Sequence, residues 1–81
     1  MDSSRIAAVA ADTADPRAGL RAVASLRGLA DRLELSQVEA ALRAGLSWQD
    51  IADALGVTRQ AAHKKHSKRV DPSILRSRRQ T

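Results

Sequence analysis

Residues 47–66 read SWQDIADALGVTRQAAHKKH, and this stretch decides the fold. Ser47 and Asp50 have the spacing of a capping box, in which each side chain binds a free backbone amide at the start of a helix. Gly56 can adopt the left-handed conformation that ends such a helix. Thr58 then caps the next one. The stretch therefore predicts two short helices joined by a tight turn.

The apolar residues of this stretch predict how the two helices pack. Ala52 falls where a larger side chain would push the second helix away, so its small size is what the pair requires. Ile51, Leu55 and Val57 are expected to form the small core between the helices. Ala61 and Ala62 are small enough to face inward or to touch a ligand.

An amphipathic helix is predicted before this stretch. Asp15 is a good helix cap, and Pro16 is tolerated at the first helical position. Gly19 and Gly28 weaken the helix by about 1 kcal/mol each relative to alanine. Apolar residues nevertheless recur at helical steps: Leu20, Val23, Leu26, Leu29, Ala30 and Leu33. Two uses of this face remain open, as the core of the domain or as the seam of a homodimer.

Shorter elements are predicted on both sides of this helix. Ser36 and Glu39 have the spacing of a second capping box, which predicts a separate helix that Gly45 ends. Residues 1–15 hold an alanine-rich segment that either forms a short helix or frays. After Pro72, which ends the last helix of the decisive stretch near Val70, the basic residues either dock or form a disordered tail.

Positive charge is concentrated in the last third of the chain. The net charge is +5 over 81 residues, but residues 58–81 alone carry +7, residues 35–57 carry −2, and residues 1–34 are neutral. A charge distribution this uneven favours a polyanionic partner.

Several classes of protein are disfavoured by the composition. The sequence has no cysteine, which excludes disulfides and thiolate chemistry and favours a reducing cytoplasm. No apolar stretch approaches the roughly 20 residues of a membrane span, so we expect a soluble protein without a membrane partner. No nucleophile, base and orienting group converge, and His63 and His66 lie among lysines that would repel a metal ion. We expect no enzyme, metal, cofactor or small-molecule ligand.

The stretch SWQDIADALGVTRQAAHKKH resembles the helix-turn-helix of bacterial DNA-binding proteins. The phrase GLSWQDIADALGVTRQA is especially similar to region 4 of sigma factors and to small actinobacterial regulators. The resemblance covers roughly Leu35 to Arg69. It implies that the second helix enters the major groove of double-stranded DNA with its first residues at the base edges.

The resemblance assigns expected roles to individual side chains. Arg59 can bond guanine in two places and Gln60 can do so with adenine, pairings that discriminate bases by about 1 to 3 kcal/mol each. The expected base-reading residues are Thr58, Arg59, Gln60 and His63. Phosphate contacts fix position without reading sequence. The expected phosphate-binding residues are Ser47, Gln49, Lys64, Lys65, Lys68, Arg69, Arg76, Arg78 and Arg79. The usual pattern has an apolar residue late in the second helix, and His66 is expected to take that place. Trp48 is expected to pack rather than to stack on bases.

Together these patterns predict an all-α fold in which an N-terminal amphipathic helix packs on a helix-turn-helix unit that ends in a basic tail. The expected parts are an N-terminal segment 1–15, the amphipathic helix 16–34, the helix-turn-helix unit 35–70 and the tail 71–81. The expected role is that of a small nucleoid-associated protein or transcription regulator. Two alternatives remain: an adaptor that contacts the transcription machinery through Asp50 and Asp53, and a phage-type packaging or excision factor.

Overall fold

The computed structural model describes the backbone of residues 2–79 and the side chains of residues 2–77. This part of the chain forms five α-helices and no strand: α1 (Ser3–Ala11), α2 (Pro16–Arg43), α3 (Trp48–Leu55), α4 (Arg59–His66) and α5 (Pro72–Arg79). The predicted all-α fold is confirmed. The chain divides into two compact units, unit 1 over residues 1–33 and unit 2 over residues 34–81. None of the helices described has the length and apolar character that crossing a membrane requires.

Helix α2 is a single helix of 28 residues, where the sequence predicted two helices separated near Ser36. Its start is as predicted, because Asp15 Oδ1 accepts a hydrogen bond of 3.2 Å from the Ala18 amide. The predicted capping box at Ser36 and Glu39 is wrong. Neither glycine nor proline interrupts residues 29–43, and leucine, glutamate, glutamine and alanine are all good helix formers. The helix therefore continues to Arg43, and Gly45 lies in the turn after it with a φ of +91°.

Unit 1 has a very small core. The alanine-rich segment does form a helix, α1, which Asp2 caps by accepting from the Ser4 amide at 3.1 Å. Ala22 is the one buried hydrophobic side chain among residues 2–33. Leu20 and Leu33, which the sequence assigned to the apolar face of the helix, are 71% and 58% exposed. Within this unit, α1 has only nine residues and covers too little of α2 to bury both ends of the leucine pattern.

Unit 2 is built around one apolar cluster that draws on three helices. Leu35, Ala41, Trp48 and Leu75 pack against its buried side chains. The buried members are Val38, Leu42, Ile51, Val70 and Ile74. Helix α3 packs on α4, and the contact is between small residues, because Ala52 and Ala62 are both buried. The inward position predicted for Ala52 is confirmed.

Leu55 and Val57 contribute less to this core than the sequence predicted. They are 37% and 45% exposed. Leu55 lines an external groove together with Leu46, and Val57 follows the turn at Gly56, beyond the end of α3. The core cluster instead combines Ile51 with side chains from α2 and α5 and with Val70.

The segment after α4 is ordered and joins the core. Helix α4 ends at His66 rather than near Val70, and Val70 lies buried beyond it. Asp71 starts α5 by accepting from the Ser73 amide at 2.9 Å, while its own amide donates to Glu39 at 3.0 Å. Ile74 of α5 is 5% exposed. Residues 72–79 are therefore a packed helix, which resolves the choice between a docked segment and a disordered tail in favour of docking.

Candidate nucleic-acid interface

The turn between α3 and α4 is held by the caps that the sequence predicts. The Ser47 hydroxyl accepts from the Asp50 amide at 3.0 Å, and the Asp50 carboxylate accepts from the Ser47 amide at 3.0 Å. The hydrogen bond from the Ser47 amide, with a smaller contribution from the Ser47 side chain, lowers the pKa of Asp50. Gly56 ends α3 in the left-handed region at φ +72°, and Thr58 caps α4 by accepting from the Ala61 amide at 3.1 Å. The predicted capping box and turn are confirmed.

The rotation of α4 about its own axis is fixed by its two buried residues. Ala62 is 2% exposed and His66 is completely buried. They are four residues apart and therefore lie on one side of the helix. Arg59 and Gln60, the predicted base-reading pair, are exposed at the opposite end of α4 from His66, next to the cap at Thr58. Ala61 is exposed as well.

His63, the fourth predicted base-reading residue, is exposed but has a neighbour. The edge of its ring meets the ring of Trp48, with centroids 5.1 Å apart and planes at 73°. This edge-to-face geometry is a favourable one for aromatic pairs. It joins α3 to α4 on the outside of the unit, and Trp48 itself is half-buried against the core, as predicted for a packing residue.

The predicted phosphate-binding residues have three kinds of surroundings. Ser47 belongs to the cap, and Gln49 donates from Nε2 to Asp53 at 2.8 Å, so both have partners within α3. Lys65 is paired with Glu34. The other predicted phosphate-binding residues whose side chains are described are exposed: Lys64, Lys68, Arg69 and Arg76. The predictions for Arg78 and Arg79 concern side chains outside the described residues.

A polar cluster that the sequence did not predict joins α2 to α4. Glu34 Oε2 lies 2.5 Å from His66 Nε2 and 2.9 Å from Lys65 Nζ. The hydrogen bond from Lys65 is the main cause that lowers the pKa of Glu34, with a further contribution from His66. An ionised carboxylate only accepts, so the His66 ring donates through Nε2. Its Nδ1 is buried and has no hydrogen-bond partner among the described residues.

The buried position of His66 was predicted, but its partner was not. The sequence signal for His66 is its place one turn after Ala62 on the inward side of the helix. Glu34 is 32 residues away in sequence, and nothing in its local pattern distinguishes it from a solvated helix residue. The contact depends on α2 continuing through Ser36, which the local capping pattern argued against.

The described site therefore consists of a capped tight turn, an exposed N-terminus on α4, and exposed basic residues on α4, on the turn after it and on α5. His63 and His66, whose spacing raised the question of a metal pair, point to different partners, Trp48 and Glu34. Comparison with known protein families, with curated proteins and with solved structures finds no match to this chain.

Proposed function

We propose that the chain binds double-stranded DNA through the helix-turn-helix formed by α3 and α4. The observation that carries the proposal is the fixed rotation of α4, which buries Ala62 and His66 and leaves Arg59 and Gln60 exposed at its start. In helix-turn-helix proteins the first residues of the second helix contact base edges in the major groove. Arg59 has the donors to bond guanine, and Gln60 has the donor and acceptor to bond adenine.

The exposed basic residues of unit 2 support the proposal as phosphate contacts. Lys64 is on α4, Lys68 and Arg69 are on the turn after it, and Arg76 is on α5. Because α5 packs on the core through Ile74, Arg76 is held by a folded helix rather than by a disordered tail. A held cation loses less conformational entropy when it binds a phosphate.

We propose that the protein acts as a transcription regulator or as a low-specificity nucleoid-associated protein. The two roles differ in how strongly Arg59 and Gln60 discriminate among sequences. Selection of bound duplexes from a random pool separates them, because a regulator enriches one motif and a nucleoid-associated protein enriches little beyond composition.

We also propose that a second copy of the chain is a partner. Residues 2–33 of unit 1 bury one hydrophobic side chain and expose Leu20 and Leu33. A helix as short as α1 is marginal without packing. A dimer would cover these leucines and would give two recognition helices, as dimeric helix-turn-helix proteins have.

Salt dependence of duplex binding is the first test of the proposal. Each phosphate that the protein neutralises contributes a slope of about −0.9 to the plot of log K against log salt. We expect a steep, linear fall in affinity as salt rises, measured by fluorescence anisotropy with a labelled duplex. Affinity that is independent of salt would refute the phosphate-contact account and would favour an adaptor that binds proteins.

Variants then separate base reading from phosphate binding. Arg59→Ala is expected to reduce the preference for a selected duplex over a random one by about 5- to 150-fold, the equivalent of about 1 to 3 kcal/mol. Lys68→Ala is expected to weaken binding to both duplexes alike. If both variants changed the two affinities by the same factor, the division of roles would be wrong.

A further inference from the structure

Lys65 differs from its neighbours on α4 because an acidic side chain from another helix neutralises it. Its Nζ lies 2.9 Å from Glu34 Oε2, and its side chain is 51% exposed. For Lys64 and Lys68, the described residues provide no such carboxylate. Lys64, Lys65 and Lys68 look equivalent in the sequence, but only Lys65 has its charge balanced by a neighbouring carboxylate in the described chain.

The carboxylate of Glu34 is fixed rather than mobile. It projects from the middle of the long helix α2, and its Oε2 also accepts from His66 Nε2, which is completely buried. The Glu34 side chain itself is 25% exposed. A phosphate that approached Lys65 would therefore find Glu34 beside it, and the attraction of the lysine would be opposed by the carboxylate at nearly the same distance.

We propose that Glu34 is a positioning residue that withholds Lys65 from DNA phosphates while it holds α4 in place through His66. The proposal rests on the DNA-binding function proposed above. It divides the basic surface of α4 into a functional part, Lys64, and a part that is neutralised within the protein, Lys65. Glu34 thereby removes one lysine from the phosphate-binding surface.

The two roles of Glu34 are linked through a single oxygen atom. His66 needs the carboxylate as an acceptor, because its ring is completely buried and Nε2 is bonded to Glu34 Oε2. A buried donor that loses its acceptor costs about 1 to 3 kcal/mol. Glu34 therefore stays at this position when DNA is present, and Lys65 stays neutralised.

Adjacent lysines give a matched pair of variants for the test. Lys64→Ala and Lys65→Ala remove the same charge from neighbouring positions of α4. We expect Lys64→Ala to reduce the magnitude of the salt slope by about 0.9, which makes the loss of affinity between 50 and 200 mM salt about 3- to 4-fold smaller than in the wild type. We expect Lys65→Ala to leave the slope unchanged.

Glu34→Gln tests the same inference from the acidic side. Glutamine keeps an oxygen that can accept from His66, but it removes the charge that neutralises Lys65. We expect the salt slope to become steeper by up to about 0.9 and the affinity at low salt to rise. Adding Lys65→Ala to Glu34→Gln is expected to return the slope to that of the wild type, whereas a merely structural role of Glu34 would not produce this reversal.

Chemical labelling gives a readout that does not depend on any variant. In the wild-type protein, acetylation of lysine amines followed by mass spectrometry is expected to show that duplex DNA protects Lys64 and leaves the labelling of Lys65 unchanged. Protection of both lysines, or a Lys65→Ala slope that falls as much as that of Lys64→Ala, would overturn this inference and leave DNA binding intact. Absence of salt-dependent duplex binding by the wild type would overturn both proposals.

Discussion

Single glycines show how differently one residue type acts in this chain. Gly28 lies inside α2, and a Cβ placed there would meet only the end of the Arg32 side chain, at 3.7 Å. No other helix of the described chain therefore comes close to Gly28. Gly56 has nothing within 4 Å of such a Cβ, but its φ of +72° is one that side chains disfavour. A side chain would find room at both positions. The two glycines differ in backbone conformation, which is helical at Gly28 and left-handed at Gly56.

Substituting these glycines is expected to change stability in opposite directions. Gly28→Ala should raise the free energy of unfolding by about 1 kcal/mol, because alanine is the better residue inside a helix. Gly56→Ala should lower it by about 1 to 2 kcal/mol, because a left-handed conformation costs that much for a residue with a Cβ. Urea unfolding followed by circular dichroism measures both. A stabilising Gly56→Ala would show that the turn can relax into another conformation.

The pairing of Glu34 with α4 predicts a pH dependence of stability. The pKa of Glu34 is lower in the fold than in the unfolded chain, mainly because Lys65 donates a hydrogen bond to it. The contribution of the ionised contact is therefore complete above the unfolded pKa of about 4.3 and is lost as the pH falls through the folded value. Lys65, His66 and Glu34 are the charged or titratable groups of this contact.

Comparison of variants isolates this contribution from those of other acids. The difference in the free energy of unfolding between the wild type and Glu34→Gln is expected to be largest near neutral pH and to shrink below about pH 4. When both proteins also carry Lys65→Ala, the difference in their free energies of unfolding should depend less on pH. A difference that is constant from neutral to acid pH would mean that the contact depends on shape rather than on charge.

At the scale of helices and turns, the features that could be predicted are those formed by residues close together in the sequence. The capping box at Ser47, the turn at Gly56 and the cap at Thr58 each involve residues within a few positions of one another, and all three were predicted. The continuity of α2 and the docking of α5 depend on contacts across the chain, such as the bond from the Asp71 amide to Glu39. Glu39 matched a local capping pattern, but it serves a distant segment instead.

We expect α5 to contribute to the free energy of unfolding mainly through the buried side chain of Ile74. Ile74→Ala should lower the free energy of unfolding by about 2 to 5 kcal/mol, as truncation of a buried isoleucine usually does, because Ile74 is 5% exposed within the core cluster. Val57→Ala is the control, since its side chain is 45% exposed and does not belong to the leucines that the proposed dimer would cover. Equal, small effects from the two variants would show that α5 is not part of the cooperative unit.

At the scale of the whole molecule, the two units have unequal cores. Unit 2 has a cluster from α2, α3 and α5 with the adjoining Val70, whereas the described residues of unit 1 have one buried hydrophobic side chain, Ala22. A unit with so little buried apolar surface gains little from the hydrophobic effect. Most of the stability that this chain has by itself therefore comes from unit 2.

The proposed dimer predicts a change of mass with concentration. Light scattering is expected to show one chain at low concentration and two at high concentration. Leu20→Asn together with Leu33→Asn should keep the protein as a single chain, because these variants remove exposed apolar surface from unit 1. Leu46→Asn in the groove of unit 2 is the control and should leave the mass unchanged. A single chain at every concentration would exclude the dimer.

The contact between Trp48 and His63 has a practical consequence. Trp48 is the only aromatic residue among Phe, Tyr and Trp in the sequence, and its ring meets an exposed histidine of α4 at 5.1 Å. The intrinsic fluorescence of the protein therefore arises from one indole located where α3 meets α4. Emission from the unlabelled protein reports directly on this junction, so a ligand that displaces His63 would be seen as a change in intensity without any attached dye.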